Sequence, residues 1–498
     1  MNPTTHRETF REENSGRMAS QGSPSVGSIW LVGIAATIFL GMILNERLDD
    51  PPLWDAAWTT SAGAADLSRN GFNYAELLAS PPFHEGGPGT HASSLLTPLL
   101  GLFFVIFGSP GGLIAGHLLM VVVGGATVAA TYALGSRYLP RLAALALAGA
   151  TSVLPLIVQQ VGDPYVDLPL ALFTLLTVIA VLDGRRFRAA AFVGLAIWFK
   201  PTGLMLLPLL ALMGDEEGSR RWLKNGLTVL LAATPFAIVV MGRSMATHVG
   251  AIPTVDGTLS LVRTAFWILG ATTDVLVILV LFCLGSIRLR HKHPGLVGVV
   301  GLLTVSFFGL HLVTMALSQA VSILPRYYIA LVPLWLVVVA TYMLEEHSQR
   351  VAVGFFVLLV SFSVLNWNGT LYPLADHSQA PMAERSPGGG KEYLEMEIAA
   401  TRALVASSDH VDVLIVDNAV WFRVTYPELG FVDEVPKNIR LGLIDESSLS
   451  DSFAWIEEPH IAPAMVTPAQ VAENAGWTVE RATVWDGRWQ SELINARP

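Results

Sequence analysis

The chain contains a single cysteine, Cys283, in 498 residues, and only 14% of its residues are charged. One thiol cannot form an intramolecular disulfide, so no disulfide framework holds any part of the fold. A soluble protein of this length carries about a quarter charged residues, and so large a deficit excludes an ordinary globular enzyme. Excess positive charge is missing too: the formal net charge is −10, which removes nucleic acid as a partner. A cleavable signal is also lacking. Residues 1–27 are polar and mixed in charge, and no small-residue cleavage site follows the first apolar run, so 29–44 is expected to be retained as a span.

What is present is apolar. Hydrophobic residues make up 52% of the chain, mean hydropathy is +0.52, and the apolar residues fall in long blocks separated by short polar links. That is the pattern of a polytopic α-helical membrane protein. The acidity is local. Residues 376–498 hold 20 Asp and Glu against 9 Lys and Arg, which leaves the rest of the chain close to neutral.

Sidedness follows from four basic clusters: Arg137 with Arg141; Arg185, Arg186 and Arg188; Arg220, Arg221 and Lys224; and Arg288, Arg290 and Lys292. Short cytoplasmic loops accumulate Lys and Arg, so all four belong inside. Two segments must then not cross. Leu95–Phe107, about 13 residues, is below the roughly 17–25 needed to span; it precedes Gly108-Ser109-Pro110 and reads as a helix at the outer surface. Ala189–Met213 has a basic cluster at both ends and Lys200-Pro201-Thr202-Gly203 at its centre. Pro and Gly break helices, so two short helices meeting at that turn would bring the chain back to the side it left. Irregular backbone at membrane depth survives only where it is buried in protein or lines a cavity. The turn is therefore a candidate cavity wall.

The remaining spans are 112–134, 142–158, 168–182, 226–242, 273–289, 297–317, 328–344 and 351–366. With 29–44 and the short pair they make about eleven transmembrane helices. The domain plan is a cytoplasmic tail (1–28), a transmembrane domain (29–366, external loop 45–111), a linker (367–390) and a small external α/β domain (391–498). In the last, Glu392–Ala406 reads as a helix, 411–416 as a buried strand before a turn at Asp417-Asn418, and 477–485 as further strand.

The candidate chemistry is external. Asp49, Asp50 and Asp55 lie in the first loop, and Asp163 and Asp167 in a later one, Gly162-Asp163-Pro164-Tyr165-Val166-Asp167-Leu168-Pro169. A carboxylate at the mouth of a membrane domain can take the proton of an acceptor hydroxyl as a glycosidic bond forms. Asp55 is the candidate base, with Asp50 and Asp49 as alternatives, and the bland reading is of solvated loop charges. Asp167 begins a span, where an Asp caps a helix. Lys200 and Arg326 suit a phosphate; the alternatives are snorkelling for Lys200 and an interfacial anchor beside Tyr327 for Arg326. His84 and His91 are further candidates for substrate contact. His117 and His311 read as satisfied intramembrane polar groups. No spacing requires a metal; Asp55, Asp163 and Asp167 are the carboxylates that would hold a divalent ion.

The order of these features resembles the GT-C-fold, polyprenyl-phosphate-sugar-dependent membrane glycosyltransferases, such as protein mannosyltransferases and aminoarabinose transferases. The resemblance rests on Trp54-Asp55 with Gly71-Phe72, His91 before Leu95–Gly108, and Asp167-Leu168-Pro169-Leu170. It continues through Phe199-Lys200-Pro201-Thr202-Gly203 and Pro325-Arg326-Tyr327-Tyr328, covering roughly 29–345. Two positions depart from the pattern: Ala56 stands where Glu often follows the loop Asp, and His91-Ala92-Ser93-Ser94-Leu95 replaces a His-Pro-Pro-Leu-like segment. The resemblance implies inverting transfer of a sugar from a polyprenyl phosphate, with Asp55 as base, Asp167 beside it, Lys200, Arg326 and Tyr327 on the donor, and no certain cofactor. It leaves the acceptor open among protein, lipid and polysaccharide. The expected location is a bacterial cytoplasmic membrane, with the C-terminal domain outside. The rival readings are a transporter or lipid flippase, for which the broken helix at Lys200 argues, and an inactive lipid-sugar-binding scaffold.

Overall fold

A computed structural model describes residues 24–45, 48–52, 56–79, 94–213, 224–235, 273–318, 325–365, 387–408, 412–415, 418–441, 452–457, 468–486 and 490–498. The spans expected from hydropathy are largely helical where they are described, with 142–158 interrupted at Leu154 and 328–344 opening on a 3-10 turn before the helix Val332–Glu346. The first is Val26–Ile43; the next is the long apolar helix Leu96–Gly135. These two cross where Gly33 and Gly125 let the backbones meet, as small residues do between membrane helices. Among the described residues three helices are long and apolar enough to cross a membrane alone, and Arg141–Val153 with Pro155–Val161, bent by 59°, would make a fourth if the pair is one span. Several others, such as Asp167–Leu182 and Gln349–Leu365, are shorter apolar helices.

The two segments expected not to cross are both resolved. Leu96–Gly135 is broken at Gly108, whose φ of 65° lies in the left-handed region open to glycine, and at Ser109. The arm before the break doubles back on the arm after it: Gly112 lies against the Phe104 backbone and Gly116 against Leu100. Its outer face, with Val105, Ile106 and Phe107, stays exposed and apolar.

The second segment starts earlier than expected, as helix Arg186–Phe199, and returns through a 3-10 turn, Pro201–Leu206, and a short helix, Leu207–Leu212. Gly203 packs on the backbone of Ala196 and Ile197, leaving no room for a side chain. Fourteen α-helical residues rise about 21 Å. Six 3-10 residues followed by six α-helical ones also rise about 21 Å. The arms match, and the hairpin closes where Arg186 donates to the Met213 carbonyl at 3.2 Å.

That closure puts both ends of the hairpin at one end of the bundle, and the basic clusters gather there. Arg185, Arg186, Arg188 and Lys224 line a single cavity of about 800 Å³. Arg137 pairs with Asp183 at 2.6 Å, and the Tyr138 ring meets His293 edge-on at 5.5 Å. Helix Asp167–Leu182, 16 residues long, carries Asp167 about 24 Å from this end.

The C-terminal domain is a five-stranded mixed sheet. Strands are β1 (Asp412–Ile415), β2 (Ile439–Leu441), β3 (Phe453–Glu457), β4 (Thr478–Asp486) and β5 (Gln490–Arg497), in the order β2-β1-β3-β5-β4. β1 pairs in parallel with β2 and β3, and β5 lies antiparallel to β3 and β4. Two details differ from expectation. The first helix begins at Pro387, not 392, because proline is favoured at a first helical position and Gly388–Gly390 are taken into the helix. Asn418 does not close a turn but starts the helix Asn418–Thr425. Its Arg423 reaches Glu397 of the preceding helix at 3.4 Å inside the core.

Candidate functional site

The centre of the membrane domain's other end is an ion pair. Asp167 is the first residue of its helix, and Lys200 is the extended residue between the Arg186–Phe199 helix and the 3-10 turn. Lys200 Nζ donates to Asp167 Oδ1 at 2.5 Å, with side-chain exposures of 4% and 3%. The snorkelling alternative fails on this geometry. Lys200 does not snorkel, because its ammonium is buried. Val166, not Asp167, occupies the cap position, and the Asp167 carboxylate lies in the first turn, where the helix favours negative charge. Burying two charges is costly unless each is matched, and here they match each other.

Tyr327 lies on the short helix Pro325–Ala330, with Lys200 Nζ 3.9 Å from the centroid of its ring. A cation over an aromatic face is attracted by the ring quadrupole, more strongly when desolvated. The His311 ring stands 5.7 Å beyond Tyr327 and 4.2 Å from Phe307. Both intramembrane histidines bond a main-chain carbonyl through Nδ1, so that half of each ring is satisfied: His311 Nδ1 to Phe307 O at 2.8 Å, and His117 Nδ1 to Gly162 O at 2.7 Å. The His117 bond fixes the turn that carries the fully buried Asp163.

Asp55, His84 and His91 lie outside the described residues, as does the side chain of Arg326. Asp50 is half-buried beside the buried prolines 51 and 52. Among the described residues no three His, Cys, Asp or Glu side chains converge as a metal site.

Sequence reasoning did not find how the first loop is held. A π-helical turn, Ala56–Ser61, and a helix, Ala62–Arg69, follow directly on Asp55. Ala62 and Ala65 share one core with Phe422, Tyr426, Leu429 and Phe431 of the C-terminal domain. Tyr426 Oη donates to Asp66 Oδ2 at 2.9 Å, and its ring lies 4.8 Å from the Arg69 guanidinium. Arg69 also grips Glu428 with two hydrogen bonds, one of them Nε to Oε1 at 2.7 Å. Gly430 rests against Pro51, and Ser109 donates to the Glu428 carbonyl at 3.2 Å. The C-terminal domain thus touches the chain on both sides of residues 53–55. Burial raises the Asp66 carboxyl pKa, partly offset by the Tyr426 bond and Arg69. The only sequence signal was Asp66 and Arg69 at i, i+3 on a short helix.

Tyr426→Phe keeps the ring contacts with Phe422 and Arg69 but leaves Asp66 half-buried without its donor. Such a loss costs about 1–3 kcal/mol. The expected result is faster hydrogen exchange over residues 56–69, with the strands around Trp455 unchanged.

Residues 95–243 match the family described as Dolichyl-phosphate-mannose-protein mannosyltransferase. The crystal structure of ArnT from Cupriavidus metallidurans in the apo state aligns with 94% of this chain and 98% of its own, at 15% identity and a TM-score of 0.52. The same protein bound to undecaprenyl phosphate aligns with 95% of this chain and 98% of its own, at 14% identity and a TM-score of 0.48. Among curated proteins there is no significant match. The chain is a multi-pass membrane protein with the GT-C fold, and its 95–243 segment matches the mannosyltransferase family named above.

Proposed function

We propose that the chain moves a sugar from a polyprenyl phosphate to an acceptor hydroxyl at the outer face of a bacterial cytoplasmic membrane, with inversion. The observation that carries this reading is the buried Asp167–Lys200 pair at the re-entrant turn, with Tyr327 against the ammonium. A buried cation suits a phosphate that arrives from the lipid, and the description of the family matched by 95–243, which names dolichyl phosphate mannose, supports a lipid-phosphate-sugar donor.

Lys200 and Arg326 hold the donor phosphate in this reading, and Tyr327 lies beside it. Asp167 positions Lys200. Asp55 takes the acceptor proton as the sugar carbon leaves the phosphate oxygen for the acceptor oxygen. The polyprenyl phosphate departs as a stable anion, so no strong general acid is needed. His84 and His91 of the first loop contact the substrate in the same reading. A divalent ion, if one is used, would fall to Asp55, Asp163 and Asp167, carboxylates being the ligands such ions prefer.

Protein reconstituted in lipid, given a panel of polyprenyl-phosphate sugars and an acceptor extract, is expected to release free polyprenyl phosphate. Transport of the lipid-linked sugar across the vesicle without release would replace this reading with the flippase one. Binding with neither release nor transport would leave an inactive scaffold.

A further inference from the structure

We infer that His311 is a recognition residue for the sugar of the donor, taking one of its hydroxyl groups through Nε2. The inference rests on the donor class proposed above.

His311 is 6% exposed, and its two ring nitrogens are in different situations. Nδ1 faces the Phe307 carbonyl at 2.8 Å, so Nδ1 carries the hydrogen and donates it. In a neutral imidazole that leaves the lone pair on Nε2. Nε2 is buried and has no protein partner among the described residues. A buried acceptor left unmade costs about 1–3 kcal/mol, which a fold retains where a ligand completes the bond.

The chemistry of the missing partner is restricted. An acceptor lone pair needs a donor, and an ionised phosphate has none to give. A sugar hydroxyl does. The neighbourhood has matching parts: a cation at Lys200, the Tyr327 ring 3.9 Å from that cation, and the His311 ring 5.7 Å from Tyr327. Phosphate on Lys200 and a hydroxyl on His311 would bracket Tyr327, the arrangement a sugar phosphate headgroup can satisfy and a bare polyprenyl phosphate cannot. The Gln160 amide, fully buried and with neither polar atom bonded among the described residues, sits on Pro155–Val161, a helix packed against the same Pro325–Ala330 segment. It offers a donor and an acceptor to the same headgroup.

The test compares His311→Phe, which keeps a ring beside Phe307, with His311→Gln, which retains an acceptor. Binding of undecaprenyl phosphate and of undecaprenyl-phosphate mannose is measured for each, alongside thermal stability. The expected result for His311→Phe is unchanged binding of undecaprenyl phosphate, unchanged or raised stability, and affinity for the mannosyl lipid lowered roughly ten- to hundredfold. His311→Gln should recover part of that loss. Equal losses for both lipids, lowered stability with no discrimination, or no change at all would overturn the assignment. If wild type binds neither lipid, the donor class itself falls, a separate outcome from the failure of His311.

Discussion

Lys200→Met is expected to destabilise the membrane domain by about 3–5 kcal/mol, because it leaves Asp167 as an uncompensated carboxylate at 3% exposure. Asp167→Asn alone should show a smaller loss, since it strands an ammonium that still has the Tyr327 face. The double variant is the informative one. Replacing both members of a buried pair by neutral groups is often close to neutral in stability, so Lys200→Met with Asp167→Asn should melt near wild type in lipid. Sugar transfer should nevertheless stay lost, because the cation for the donor phosphate has gone. Thermal melts paired with polyprenyl phosphate release separate the two effects. Recovery of activity in the double variant would reduce the pair to a structural element and move the phosphate to Arg326 alone.

The second large effect concerns Asp55. Asp55→Asn preserves shape and removes the proposed base, so the turnover number should fall roughly 10²- to 10⁴-fold, with affinity for polyprenyl-phosphate mannose unchanged. Rapid-quench measurement of bound donor isolates the chemical step from donor loading. An unaltered rate would transfer the role to Asp50, which is half-buried in the same loop, or to Asp167.

Much of the membrane architecture was legible because it is written in local signals. The re-entrant hairpin followed from cations on both flanks of Ala189–Met213 and a Lys-Pro-Thr-Gly sequence at its centre. The break before the 112–134 span followed from Gly108, Ser109 and Pro110. What was illegible depends on contact between distant residues. The pairing of Asp167 with Lys200 is one such contact, because nothing in the 33 positions that separate them marks it. The docking of Tyr426 and Glu428 on Asp66 and Arg69 left no periodicity in either segment. In the C-terminal domain, Asn418 read as a turn residue because turns and helix starts use the same side chains.

That docking has a consequence for biosynthesis. Arg69 and Glu428 are 359 positions apart, so at roughly 5–20 residues per second the ribosome makes the second about 20–70 s after the first. Through that interval the membrane helices can insert while the segment around Asp55 lacks its outer support. The first loop therefore stays without its C-terminal-domain contacts until the last domain has been made and has folded onto it.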